Sequence, residues 1–137
     1  MILLAAPKPT DSNHRVLLVD DDPRARDLLA RVLKHGGFDV TCAGELEEAA
    51  AILEFRDYDA LCVDLDLRGL CGLEGLELVG EAHQRRPQLP IVVQTGNSDP
   101  DVHRACLANG ACGVFVKGRP MNDLLRLLGR PTEEEEK

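Results

Sequence analysis

The sequence predicts a doubly wound α/β domain in which five parallel strands alternate with five helices. Three observations predict it. Short apolar runs of strand length alternate with longer segments of helical period. The runs are continuously apolar, the pattern of strands buried on both faces of a parallel sheet. Four of them also stop at or just before polar side chains: Val16 to Val19 at Asp20 and Asp21, Ala60 to Val63 at Asp64, Ile91 to Val93 one residue short of Thr95, and Val114 to Val116 at Lys117. Ligands of open parallel sheets bind beyond the carboxyl ends of the strands, so these residues are the candidate site.

The elements follow in order. Arg15 to Asp20 reads as a buried strand. Asp22 offers a helix cap, with Pro23 at the first helical position. Leu28, Leu29, Val32 and Leu33 keep helical spacing until Gly36 and Gly37 end the segment. Phe38 to Ala43 is the second strand, and Glu45 to Arg56 is a helix with acidic residues in its first turn. The third strand is Tyr58 to Asp64, and a loop from Leu65 to Cys71 leads to a helix opened by Gly72 and carrying Leu73, Leu76, Val79 and Ala82. Leu89 to Thr95 is the fourth strand. A turn over Gly96 to Asp99 precedes a helix from Pro100 to Asn109. Cys112 to Lys117 is the fifth strand, and a short helix with Leu124, Leu125, Leu127 and Leu128 ends at Gly129.

Composition bounds the rest. A chain of 137 residues is one domain by ordinary scaling, here a leader over 1–14, a folded domain over 15–130 and an acidic tail over 131–137. Aromatics are 3%, so Leu, Val, Ile and Ala must fill the core. A net charge of −8 argues against direct nucleic-acid binding, which needs clustered Lys and Arg. The run Ile2 to Ala6 is too short for a membrane span and lacks the cationic start of a signal peptide. Five cysteines (Cys42, Cys62, Cys71, Cys106 and Cys112), odd in number and without a C-x-x-C pair, read as free thiols of a cytoplasmic protein, Cys71 being the one beside the site. His14, His35, His83 and His103 show no ligand spacing.

Each site residue alone has an ordinary explanation: a turn aspartate, a strand-end threonine, a solvated lysine. Together, three carboxylates, a hydroxyl and an ammonium in one crevice would hold a divalent cation and an oxyanion. Mg²⁺ suits such a set, because it is a hard cation that keeps several waters and takes one or two carboxylates plus a phosphate oxygen. Clustered aspartates are costly without a cation, so Mg²⁺ binding is expected before any phosphate arrives.

In sequence, RVLLVDDDP, YDALCVDLDLRG, PIVVQTG and GACGVFVK resemble the receiver domain of two-component response regulators, CheY-like proteins, over about residues 15 to 129. The resemblance implies a flavodoxin-like (βα)5 sandwich with strand order 2-1-3-4-5. It implies that Asp64 accepts a phosphoryl group from a histidine kinase or phosphotransfer protein. Asp21 would bind Mg²⁺ directly, Asp20 through a water, and Asp66 through its backbone carbonyl, with Asp64 completing the set. Thr95 would be the switch hydroxyl and Lys117 the charge-stabilising lysine. The partner surface implied is the face of helix four, strand five and helix five, open to a downstream protein, an output domain or a second copy in a homodimer. Such a protein is a signalling domain rather than an enzyme and needs no membrane.

The sequence departs from the family pattern at several points. The aromatic expected three residues before the lysine is Val114, while Phe115 lies one residue out of phase and should be core. Gly118 replaces the proline after the lysine, and Arg68 and Cys71 stand in the loop after Asp64 where proline and an acidic residue are usual. Without the aromatic, output is expected to run through the loop from Gly96 to Pro100. By the resemblance, Asp66 and Asn97 occupy positions that in the family flank the path of the water hydrolysing the acyl phosphate. Two other readings compete: a receiver-like scaffold that signals without phosphate, and a haloacid-dehalogenase-like phosphatase, suggested by the D-x-D of Asp64 and Asp66. The latter also wants a threonine soon after the pair, where this chain has Arg68.

Overall fold

The computed structural model describes residues 14–65 and 73–129. The chain alternates strand and helix throughout: β1 (His14–Val19), α1 (Pro23–His35), β2 (Phe38–Ala43), α2 (Leu46–Phe55), β3 (Ala60–Asp64), α3 (Leu73–Arg85), β4 (Ile91–Thr95), α4 (Pro100–Ala108), β5 (Gly113–Val116) and α5 (Met121–Leu127). All pairings are parallel, and the sheet order is β2-β1-β3-β4-β5. That is the 2-1-3-4-5 order expected from the resemblance.

The two-residue period of the strands sorts their side chains between two apolar layers. Leu17, Val19, Leu61, Val63, Ile91 and Val93 pack beneath α2, α3 and α4. Val16, Leu18, Ala60, Cys62, Val92 and Phe115 pack beneath α1 and α5. Helix starts follow local chemistry. The Asp22 carboxylate accepts from the Arg24 N–H and Pro23 opens α1; the Asp99 carboxylate accepts from the Asp101 N–H and Pro100 opens α4. At β5 a glycine lets α5 pack closely: a Cβ on Gly113 would lie 2.7 Å from a terminal methyl of Leu127 on α5, which would have to shift.

Boundaries shift slightly from the sequence reading. His14, expected as the end of the leader, is the first residue of β1: it pairs with Phe38 of β2, its ring lies tilted against that of Phe38 with centroids 5.9 Å apart, and its Nε2 lies 2.9 Å from the Gly129 carbonyl. β3 and β4 begin at Ala60 and Ile91 rather than at Tyr58 and Leu89; at Asp59 the side chain, in place of a ladder carbonyl, accepts from the Arg15 N–H. β5 ends at Val116 and leaves Lys117 in the turn that follows. The rest of the leader, the loop residues Asp66, Arg68, Gly69 and Cys71, and the acidic tail lie outside the described residues. Cys42, Cys62, Cys106 and Cys112 are free thiols, as expected.

Leu61 is fully buried at the middle of the sheet. Leu61→Ala should lower the free energy of unfolding by about 2–5 kcal/mol, measured by urea titration. Gly113→Ala, where one methyl must yield, should cost about 1 kcal/mol.

Candidate functional site

Ladder hydrogen bonds at or beside each residue fix the strand ends. The Asp20 N–H donates to Ala43 O at 3.1 Å, the Leu65 N–H to Gln94 O at 2.9 Å, and the Lys117 N–H to Thr95 O at 2.9 Å. Asp20, Asp64, Thr95 and Lys117, at or just past the ends of β1, β3, β4 and β5, are therefore held by backbone bonds to a neighbouring strand. Parity does the rest. Asp20 follows Val16 and Leu18, and Asp64 follows Ala60 and Cys62, so both project on the α1–α5 side. Lys117 follows Phe115 in the same way.

The result is an ion pair that reaches past β4, from the turn after β5 to a buried carboxylate at the end of β3. The Lys117 ammonium lies 3.0 Å from Asp64 Oδ1 and 3.2 Å from Oδ2. Asp64 is buried and the lysine side chain is 38% exposed, so the charge reaches inward from solvent. Gly118, at φ +100°, turns the chain away after the lysine in a conformation that suits glycine. Proline is thus not needed to bring this ammonium onto Asp64.

Asp20 is buried beside this pair, and its carboxyl is pushed up to about 6 from 3.8. Burial is the main cause. The Asp22 N–H, donating to Asp20 Oδ1 at 3.0 Å, opposes the rise; the charge of Asp64 and a hydrogen bond with it add to it; Lys117 pulls the other way. One ammonium does not balance two buried carboxylates. Arg26 of α1 adds a donor from outside, its Nη1 lying 3.1 Å from the Asp20 carbonyl. Cys62, buried on the same face, has its thiol pushed up to about 12 by burial and by these carboxylates.

Among the described residues no three such side chains form a closed metal cage. Two adjacent buried carboxylates, with Asp21 next in sequence, are instead an open all-oxygen set. This fits Mg²⁺, which retains waters, better than a cation needing a full protein shell. Asp21 lines a 440 Å³ cleft between α2 and α3 with Glu45, Glu74 and Leu78, whereas Asp20, Asp64 and Lys117 do not line it. The carbonyl of Asp66 lies outside the described residues.

Thr95 is buried at the end of β4, and its Oγ1 accepts from the Asn97 N–H at 3.1 Å. Asn97 Oδ1 accepts from the Asp99 N–H at 2.8 Å, and His103 Nε2 lies 2.8 Å from Asn97 O. A chain of hydrogen bonds thus runs from the hydroxyl to the first turns of α4. Val114 is partly buried against the α2–α4 layer, while Phe115 is buried in the other, as its phase requires. Sequence reasoning missed His103 and Arg26, whose roles depend on where helices sit, and Gln94, which is considered below.

A model of the response regulator receiver domain family matches residues 16–128. The chain belongs to that family. The receiver is 29% identical over 125 residues to the C4-dicarboxylate transport transcriptional regulatory protein DctD of Pseudomonas aeruginosa, covering 91% of this chain and 26% of that protein. It is 39% identical over 111 residues to the transcriptional regulatory protein AruR of the same species, covering 79% of this chain and 44% of the other. The chain thus spans less than half the length of these curated relatives. Among solved structures it is similar to a CheY-like receiver from Methanospirillum hungatei, with a TM-score of 0.76, 28% identity, and 91% and 98% of the two chains covered. It is also similar to the response regulator TrrA of Thermotoga maritima, solved in complex with Mg(2+)-BeF, with a TM-score of 0.71, 28% identity, and 82% and 94% covered. The family is a signalling domain, not the phosphatase class that the D-x-D spacing suggested.

The raised Asp20 carboxyl sets a pH dependence. A folded-state value above the unfolded one contributes stability below about pH 4 that is lost as pH rises through about 6. At about 1.4 kcal/mol per unit, the loss is on the order of 2–3 kcal/mol. In metal-free buffer the Tm should fall between about pH 4 and about pH 6.5, Asp20→Asn should flatten that fall, and Mg²⁺ should restore stability at the higher pH. Differential scanning calorimetry across this range checks all three.

Proposed function

We propose that Asp64 accepts a phosphoryl group from a phosphohistidine of a sensor histidine kinase or phosphotransfer protein, with Mg²⁺ held by Asp20, Asp21, Asp64 and the Asp66 carbonyl. The Lys117 ammonium set across both oxygens of a buried Asp64, with Asp20 beside it, carries this reading. The complex of the T. maritima relative with Mg(2+)-BeF supports it. In the transfer, an Asp64 oxygen supplies the electron pair of the new O–P bond, and the P–N bond breaks with its pair leaving on the imidazole. Lys117 holds off the repulsion between carboxylate and phosphoryl oxygens, which is most of what catalysis of this step requires. When bound, Mg²⁺ supplies further neutralisation of the same charge.

Thr95 is the switch hydroxyl of this reading. Reorienting it toward a phosphoryl oxygen forfeits the bond from Asn97, and Asn97 is tied to Asp99 and His103. Output therefore runs through the loop between β4 and α4, to the face made by α4, β5 and α5. That face would meet a downstream protein, an output domain or a second copy of this chain. Among the described residues no helix is long and apolar enough to cross a membrane, and free thiols accord with a cytoplasmic site of action.

Incubation with Mg²⁺ and acetyl phosphate should add the mass of one phosphoryl group. Asp64→Ala or chelation should abolish the gain, and Lys117→Ala should slow it about a hundredfold; labelling that survives Asp64→Ala refutes the assignment. Beryllofluoride with Mg²⁺ should move the amide resonances of Gly96, Asn97 and Asp99, and His103→Ala should confine the change to residues before α4. A loop that stays put refutes the route through α4.

A further inference from the structure

Gln94 interrupts an apolar strand one residue before Thr95. Its register partners are Asp64 on β3 and Phe115 on β5. Val92, two residues earlier, packs beneath α1 and α5, so Gln94 projects to that same side, the side of Asp64 and Phe115. The residue is 5% exposed, and among the described residues its Nε2 finds no hydrogen-bond partner. Buried donors are almost always paired, and an orphan is costly enough that leucine would be the more stable choice here.

The neighbouring acceptor in that row is the Asp64 carboxyl. With Asp64 ionised, the Lys117 ammonium engages both of its oxygens. Once one oxygen is bonded to phosphorus, negative charge concentrates on the phosphoryl group, and the ammonium follows it. The other oxygen, now an acyl carbonyl, belongs to the residue that stands opposite Gln94 in the ladder.

We propose that the Gln94 side-chain amide is the hydrogen-bond donor to the non-bridging oxygen of Asp64 during phosphoryl transfer. The inference rests on Asp64 being the phosphoryl acceptor. As the O–P bond forms, the carboxylate pair moves to phosphorus, while the non-bridging oxygen keeps part of the charge. As the bond breaks in hydrolysis, the pair returns to Asp64 and the phosphoryl group leaves on water. A bond from the amide is stronger to that partly charged oxygen than to a neutral acyl carbonyl. Gln94 therefore speeds both steps, and loading more than loss, because the ionised resting state lacks this bond.

The test compares wild type with Gln94→Leu and Gln94→Met for loading by Mg²⁺ and acetyl phosphate, loss of the phosphoryl group, and Tm. The variants should load about tenfold more slowly and lose the group about threefold more slowly, with a Tm equal to wild type or higher. A merely structural glutamine would instead lower Tm and loading together. Independently, Mg²⁺ and beryllofluoride should shift the Gln94 side-chain amide protons of the wild type downfield, a readout that stands even if neither variant folds. A folded variant that loads at the wild-type rate, or amide protons that do not move, overturns the proposal. Wild type that takes up no phosphoryl group at all overturns the assignment of Asp64, and this inference with it.

Discussion

Everything at the carboxyl edge of the sheet depends on one charge balance: among the described residues, the Lys117 ammonium is set against two buried carboxylates, Asp64 and Asp20. Burying an ion is expensive unless it is paired. Lys117 meets that need for Asp64, and the Asp22 N–H meets it in part for Asp20. What is left over appears as the raised carboxyl of Asp20. A site with surplus buried negative charge is stabilised by a divalent cation first and can accept an anionic phosphoryl group only afterwards. The order of events in the proposed reaction thus follows from electrostatics alone.

β4 divides the labour between the two faces of the sheet. Gln94 projects with Asp64 and Phe115 toward α1 and α5, whereas Thr95, one residue on, follows Ile91 and Val93 in phase. Adjacent residues on one strand therefore address the reacting carboxyl and the loop that leads to α4. A movement of this strand end cannot affect one without the other. In the proposed reaction, phosphoryl chemistry and output would be coupled through this shared backbone, without the aromatic residue whose place Val114 takes.

Much of this was legible in the sequence, for definite reasons. Burial on both faces writes each parallel strand as an apolar run, and a run must end where side chains meet water or a ligand. Asp20, Asp64, Thr95 and Lys117 were therefore visible as strand-end residues. The cap Asp22 is legible because it stands before a proline, and the core position of Phe115 follows from a two-residue period. What escaped depends on register and helix placement. His14 belongs to β1 because Phe38 lies opposite it and Gly129 returns beside it. Gln94 carries no signal of its own in the sequence; only the strand pairing sets it opposite Asp64. His103 gained significance only when α4 brought its ring to the Asn97 carbonyl.

The replacement of proline by Gly118 shows which constraint positions the lysine. Its N–H is bonded to Thr95 O, so the backbone at 117 is held by β4 even though β5 has ended at Val116. The Arg119 N–H, bonded to Val116 O at 3.2 Å, closes the turn immediately afterwards. Gly118 takes the left-handed conformation between these two bonds, where a side chain would be strained. The direction of the Lys117 side chain is thus set upstream, by the ladder and by the phase of β5. The residue that follows needs only to turn the chain toward α5. A loop rebuilt around glycine therefore leaves the ion pair with Asp64 intact, and the same logic explains why Val114 can lose its aromatic ring while Lys117 keeps its place.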